Sequence, residues 1–132
     1  MLFRSWAPHG VVLRMGGLYR NGRGPLASYQ RRGTAPDGPP DKTLALIHYD
    51  DAATATFAAL SHASPAPSYL CVVPPCPTRA DFYQAAAVVN ELELPFFTTP
   101  LGRPPAEYDT TRTRNDLLPE PAYPKWQAAL VP

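Results

Sequence analysis

Proline decides where this chain can be regular. It occurs eighteen times in 132 residues, where average usage of about 5% would give roughly seven. Each proline fixes φ and removes a backbone donor, so helices and interior strands must fit between them. Between Lys42 and Thr99 the prolines cluster at the ends of apolar runs, where they punctuate elements instead of breaking them. On either side, proline and glycine are scattered too evenly for a core to form.

The central stretch reads as alternating strands and helices. Lys42 to Tyr49 is a short apolar run bounded by Pro39-Pro40-Asp41 and Asp50-Asp51, which favours a buried strand. Asp50 or Asp51 is the expected N-cap of a helix over 52–62, with Ala53, Phe57 and Leu60 on its apolar face. Ser64-Pro-Ala-Pro67 stops that helix. Ser68 to Val73 reads as a second strand, closed by Pro74-Pro-Cys-Pro77. Thr78-Arg-Ala-Asp81 resembles a capping box, with Asp in place of Glu, and opens a helix striped by Phe82, Ala85, Ala86 and Val89. Leu94 to Thr99 is a third strand candidate that Pro95 confines to a sheet edge.

This order predicts an α/β fold: a small βαβαβ-type unit with a parallel or mixed sheet, and long irregular N- and C-terminal arms. A ferredoxin-like sandwich is the second choice. Phe57, Leu60, Leu70, Val72, Phe82 and Val89 are expected to share one core. Residues 42–99 form the domain, 1–41 a basic extended arm and 100–132 a proline-rich extended arm. A unit of about 60 residues buries only about 60% of its unfolded surface, so arms or partners must complete it.

The charge is lopsided. Residues 1–36 hold six arginines and no acid, a balance of +6, while residues 37–132 hold six Lys or Arg and all eleven acids, a balance of −5. An Arg-rich, acid-free start resembles the composition of a mitochondrial targeting segment. The two arms also hold half of the fourteen aromatic residues and both tryptophans. Trp, Tyr and Arg are the residues that anchor interfaces. Phe3, Arg4, Trp6, Arg14, Tyr19, Arg20, Tyr29, Tyr108, Tyr123 and Trp126 are therefore the candidate partner-binding residues, and both arms are expected to bury their surface against other chains.

Dedicated chemistry is hard to find. Cys71 and Cys76 lie five apart, not at the two-residue spacing of a redox pair, although a disulfide is open by this spacing. Three scattered His and two Cys give no metal pattern. Gly16-Gly17 and Gly22-Arg-Gly24 lack the preceding strand and the Gly-Lys-Ser/Thr of a phosphate loop. His48, beside Asp50 and Asp51, sits at the carboxyl end of a strand, where open α/β sheets bind ligands. It is the one place for a small-molecule site.

The sequence alone thus points to a non-catalytic accessory subunit of a mitochondrial multiprotein complex, first an inner-membrane respiratory complex and next ATP synthase. Its expected partners are other subunits, with acidic lipid headgroups as a further contact for the first arm. No cofactor or metal is expected. Nucleic acid is disfavoured by the acidic remainder of the chain, and no run approaches the ~20 apolar residues of a membrane span. The alternatives are a small thiol-redox or ligand-binding α/β protein using Cys71, Cys76 or His48, and an organellar ribosomal protein.

Overall fold

The computed structural model describes residues 10–100, 102 and 107–131. Its elements run β1 (Val12–Met15), β2 (Gly17–Tyr19), α1 (Pro25–Arg32), β3 (Leu46–His48), α2 (Tyr49–Ser61), β4 (Ser68–Cys71), α3 (Arg79–Asn90), α4 (Thr111–Asp116) and a 3-10 helix over Trp126–Leu130. The class is α/β, as expected, and its strand pairs are parallel: β1 with β4 and β2 with β3.

Gly16 joins the two ladders. Its N–H donates to Cys71 O at 3.0 Å, and the next N–H, of Gly17, donates to Ala45 O at 2.8 Å. Val73 N–H in turn donates to Leu46 O. So β3 wedges between β2 and the chain that leaves β4. A Cβ at Gly16 would stand 3.0 Å from Val72 Cγ2 and 3.3 Å from Ala45 O, which leaves little room for a side chain at the wedge.

Two cores flank these ladders. One gathers Tyr19, Leu26, Tyr29, Leu46, Phe82 and Ala86, with Ala129 and Leu130 closing it. The other gathers Ile47, Ala52, Ala55, Tyr69, Cys71, Leu117 and Leu118. Both take residues from outside 42–99. The expectation that the arms bury their surface on other chains is therefore corrected for the described residues. Residues 12–32 supply β1, β2 and α1, and residues 111–130 supply α4 and the 3-10 helix. The reason is the one that made the central stretch look marginal: it is too small to close a core alone, and the apolar residues of the arms complete it.

Three further expectations change. No strand forms over 94–99, where Phe96 is exposed. The N-cap of α2 is His48, not Asp50 or Asp51, and both aspartates fall in the first turn. The buried face of α2 is Asp51, Ala52, Ala55 and Ala59, while Phe57 and Leu60 are 72% and 82% exposed. Small side chains let the helix lie close to the strands, and Asp51 is drawn inward by two backbone donors described below. Val89 on α3 is likewise exposed, whereas Phe82 and Val72 are buried. The single expected core is therefore two smaller ones.

Helix α3 starts as its sequence indicates. Thr78 Oγ1 accepts the N–H of Asp81 at 3.1 Å, the N-cap bond of a Thr. Lys42 O and Pro40 O accept the N–H groups of Arg79 and Ala80 at 2.9 Å each. The free donors of its first turn are thus closed by this chain itself.

Candidate ligand cleft at the carboxyl ends of β2 and β3

Strand β2 ends at Tyr19, and a tight turn follows at once. The N–H and C=O of Arg20 exchange hydrogen bonds with those of Arg23, both at 3.0 Å. Asn21 and Gly22 occupy the turn, and Gly22 supplies the left-handed φ of +79°, a conformation glycine adopts without steric cost. Gly24 has φ +113°, and a Cβ there would meet Tyr19 Cβ at 2.8 Å. Pro25 then takes the first position of α1, where its missing N–H costs nothing. No side chain caps this helix.

Beside the turn, β3 ends at His48, and the two parallel strands deliver Tyr19 and His48 side by side. Their rings meet edge to face, with centroids 5.1 Å apart at 89°. On the other side Tyr123 stacks flat on His48, at 3.6 Å and 10°. What brings Tyr123 here is Asp51. Its buried carboxylate accepts the N–H of Ala122 at 2.8 Å and of Tyr123 at 3.0 Å. Between these walls lies a cleft of about 180 Å³, with Arg20, Asn21, Arg23 and Gln30 at its rim. Across the Gly22–Gly24 turn a second hollow of about 480 Å³ is lined by Arg23, Arg31 and Tyr49. The Arg20 guanidinium lies 4.8 Å over the Tyr49 ring.

The protonation pattern follows from the bonds. His48 Nδ1 accepts the N–H of Asp50 at 3.0 Å, so Nδ1 is bare and the neutral ring carries its proton on Nε2. Asp50 Oδ2, 3.8 Å from the same nitrogen, pairs with it only when the ring is protonated. The Tyr19 phenol is pushed up to about 12, by burial first and then by the nearby Asp51 and Tyr123. It stays a neutral donor across the physiological range. The cleft thus combines aromatic walls, two arginines at its rim and a helix start with no side-chain cap. That combination suits an anionic ligand with a flat group attached.

The strand-end reading of His48 is where the chain does assemble a cavity. Of the partner-binding candidates, Tyr19, Arg20 and Tyr123 converge on it. Tyr29 is instead a core residue, fully buried, and its hydroxyl donates to Glu93 O. Trp126 packs on Phe82, with centroids 6.0 Å apart. Arg14 is exposed on β1 and lines an open hollow beside α4. Tyr108 lines a separate hollow of about 320 Å³ under Pro121 and Pro124. Phe3, Arg4 and Trp6 lie outside the described residues. Cys71 and Cys76 are free thiols, and burial pushes both up, away from the lowered value a reactive cysteine needs. Among the described residues no His, Cys, Asp and Glu group could hold a metal ion, and no helix is long and apolar enough to cross a membrane.

By sequence the Gly22-Arg-Gly24 turn lacks both a preceding strand and the Gly-Lys-Ser/Thr of a phosphate loop. The structure supplies both β2 before and α1 after it. The available signal was the Asn21-Gly22 turn pair followed by Gly24-Pro25, a turn that runs into a proline-led helix start. Arg23 and Gln30 were missed with it.

No family model matches the sequence, and no curated protein is similar to it. Solved structures are. A human epimerase family protein, SDR39U1 (isoform 2) with NADPH, superposes with a TM-score of 0.71 at 21% identity, covering 91% of this chain and 46% of that one. RMD from Pseudomonas aeruginosa complexed with NADPH superposes at 0.68 and 14% identity, covering 98% and 49%. The dTDP-glucose 4,6-dehydratase (rfbB) from Bacillus anthracis in complex with NAD superposes at 0.68 and 12% identity, covering 98% and 46%. The fold is Rossmann-like. The chain spans about half the length of the structures it matches. These findings overturn the expectation of a non-catalytic accessory subunit of a mitochondrial complex, and with it the expectation that the chain has no enzymatic role. All three of these structures hold NADPH or NAD, and two are named as an epimerase family protein and a dehydratase.

Proposed function

We propose that this chain is the substrate-holding portion of an NAD(P)-dependent enzyme of the epimerase or dehydratase type, and that the Tyr19–His48–Tyr123 cleft takes a phosphate-bearing, nucleotide-type substrate. The observation that carries the reading is the placement of that cleft. It opens at the carboxyl ends of two parallel strands, the position at which open α/β sheets bind ligands, with Arg20 and Arg23 at its rim.

A resident dinucleotide fits these residues poorly. Gly22-Arg-Gly24-Pro-Leu-Ala27 has the spacing of a dinucleotide turn, but its parts are otherwise engaged. Gly24 is packed on Tyr19 on its Cβ side, the side a dinucleotide turn leaves free for close approach of its diphosphate. Pro25 offers no N–H. Asp51, the buried acid after the next strand, spends both carboxylate oxygens on Ala122 and Tyr123 and cannot hold a ribose. The dinucleotide of such an enzyme therefore belongs to a part of the protein other than this cleft.

The roles of this chain's residues follow. Arg20 and Arg23 neutralise the phosphates, and their geometry favours bidentate contacts. The Leu26 and Ala27 N–H groups in the first turn of α1, which have no partner among the described residues, add directional donors. Tyr123, stacked on His48, offers an aromatic wall for a base or sugar face. His48 Nε2–H and the neutral Tyr19 phenol are the proton-bearing groups at the cleft.

Calorimetry of the 132-residue chain with thymidine diphosphate tests this. Saturable binding is expected, weakening with salt because the charges are exposed. Replacing Arg20 and Arg23 together by Ala should weaken it by about tenfold or more, as expected for loss of charge-assisted hydrogen bonds. Neither side chain supports the turn, whose bonds are backbone. No saturable binding, or equal binding by the double variant, would overturn the reading.

A further inference from the structure

One short segment of chain walls two cavities. Asp51 fastens it, accepting the N–H groups of Ala122 and Tyr123. Tyr123 stacks on His48 and lines the cleft. Its neighbours Pro121 and Pro124 line the separate hollow of about 320 Å³, beside α4 and the end of β4. That volume is at the lower end of small-molecule sites, which start at roughly 300 Å³. An apolar cavity of about 150 Å³ already accepts benzene. The hollow therefore has room for a ring with a short chain attached.

Its lining divides into an apolar wall and a small polar set. Val73, Pro74, Leu118, Pro121 and Pro124 supply the wall, and the half-buried Tyr108 adds a ring. Of the polar residues, some are already engaged. Thr113 Oγ1 donates to Leu70 O at 2.6 Å. Asp109 Oδ1 accepts the Thr111 N–H at 3.0 Å, and the Thr111 hydroxyl bonds to the same carboxylate. Two donors are left. Thr110 is only 7% exposed, yet its hydroxyl does not cap α4 and has no hydrogen-bond partner among the described residues. A buried hydroxyl without a partner is costly, and this one belongs to a residue that lines the hollow. Arg114, also in the lining, is exposed and makes no ion pair among the described residues. Asp109 is outnumbered by the nearby Arg112 and Arg114, so the local charge favours an anion.

We infer that this hollow is a second ligand site, for a small carboxylate that carries an aromatic ring. The carboxylate accepts from the Thr110 hydroxyl and the Arg114 guanidinium, and such charge-assisted bonds are the strong ones. The ring lies on the apolar wall. A ligand seated against Pro121 and Pro124 is also felt at the amides of Ala122 and Tyr123, which lie between them in the chain and are bonded to Asp51. The inference stands on the hollow's own lining and does not depend on what fills the cleft.

An amide chemical-shift titration of the full 132-residue chain with phenylacetate tests it. Saturable shifts are expected at Val73, Thr110, Thr111 and Ala122, with Arg23 and Gly24 silent. A dissociation constant of about 1 mM or tighter suits a ligand of this size. Phenylacetamide, which lacks the charge, and inorganic phosphate, which lacks the ring, should each bind about tenfold more weakly or worse. Thr110→Val and Arg114→Gln should each weaken phenylacetate by about tenfold. Neither removes a hydrogen bond or ion pair found among the described residues, so both variants should fold. Both should leave any affinity for thymidine diphosphate unchanged, so the two sites are scored separately. Four results would each overturn the inference: no saturable shifts, shifts centred on Arg20 to Ala27, binding of the amide or of phosphate as tight as that of phenylacetate, or full-strength binding by both variants.

Discussion

Helices α1 and α3 pack in the same core yet begin in opposite ways. The start of α3 is closed: Thr78 Oγ1, Lys42 O and Pro40 O take its first donors. The start of α1 is left open. It has no side-chain cap, a proline at its first position, and Arg20 and Arg23 on the turn just before it. A capped start is a structural device, since it removes the partial positive charge from use. An open start beside two arginines, at the carboxyl end of a parallel pair, is available to an external anion. Both helices build the same core; the difference is that one start is closed by its own chain and the other lies where the proposed ligand would sit.

The comparison can be broken in three places. Gly24→Ala should have the largest effect, because it forces a left-handed φ on a side chain that also meets Tyr19 Cβ at 2.8 Å. A loss of about 1–3 kcal/mol is expected in urea unfolding, with nucleotide binding weakened as Tyr19 is pushed from its place. Thr78→Ala should cost about 1 kcal/mol and leave nucleotide binding unchanged. If it weakened binding as much as Gly24→Ala, the two helix starts would not differ in role.

The smallest effect concerns pH. The Tyr19 phenol titrates near 12 in the fold and near 10 when unfolded. A folded value above the unfolded one means its share of stability is complete below pH 10 and is lost as pH rises from 10 to 12. Tyr29, Tyr69 and Tyr83 are raised in the same direction, by burial first. Tyr19→Phe should therefore reduce the alkaline slope of stability in that window without removing it. An unchanged slope would mean that Tyr19 is not buried against Asp51 and Tyr123 as described.

The legible parts of the chain are those whose signal is local. Thr78-Arg-Ala-Asp81 announced its helix through side-chain chemistry within four residues, and the structure forms that cap. His48 falls at a strand end, as its sequence position indicates, and a cleft opens there, because strand polarity alone fixes where such an edge lies. The parts that were not legible depend on distant partners. Asp51 looked like an N-cap, but two backbone donors 71 and 72 residues away draw it inward. That rotation buries the alanine face of α2 and leaves Phe57 and Leu60 outside. Strands β1 and β2 are only four and three residues long and sit among glycines. They exist because β4 and β3 pair with them, so a basic, glycine-rich start read as an arm. With β2 illegible, the turn at Gly22 shows no strand before it in the sequence, and the missing Gly-Lys-Ser/Thr of a phosphate loop stands.

The most direct test of the central claim is an amide chemical-shift map of the chain on titration with the same nucleoside diphosphate. Shifts should concentrate at Arg20 to Ala27, His48 and Tyr123, with the start of α3 silent. Shifts confined to the hollow between Tyr108 and Pro124, or to the start of α3, would contradict the assignment of the ligand cleft to the open end of α1.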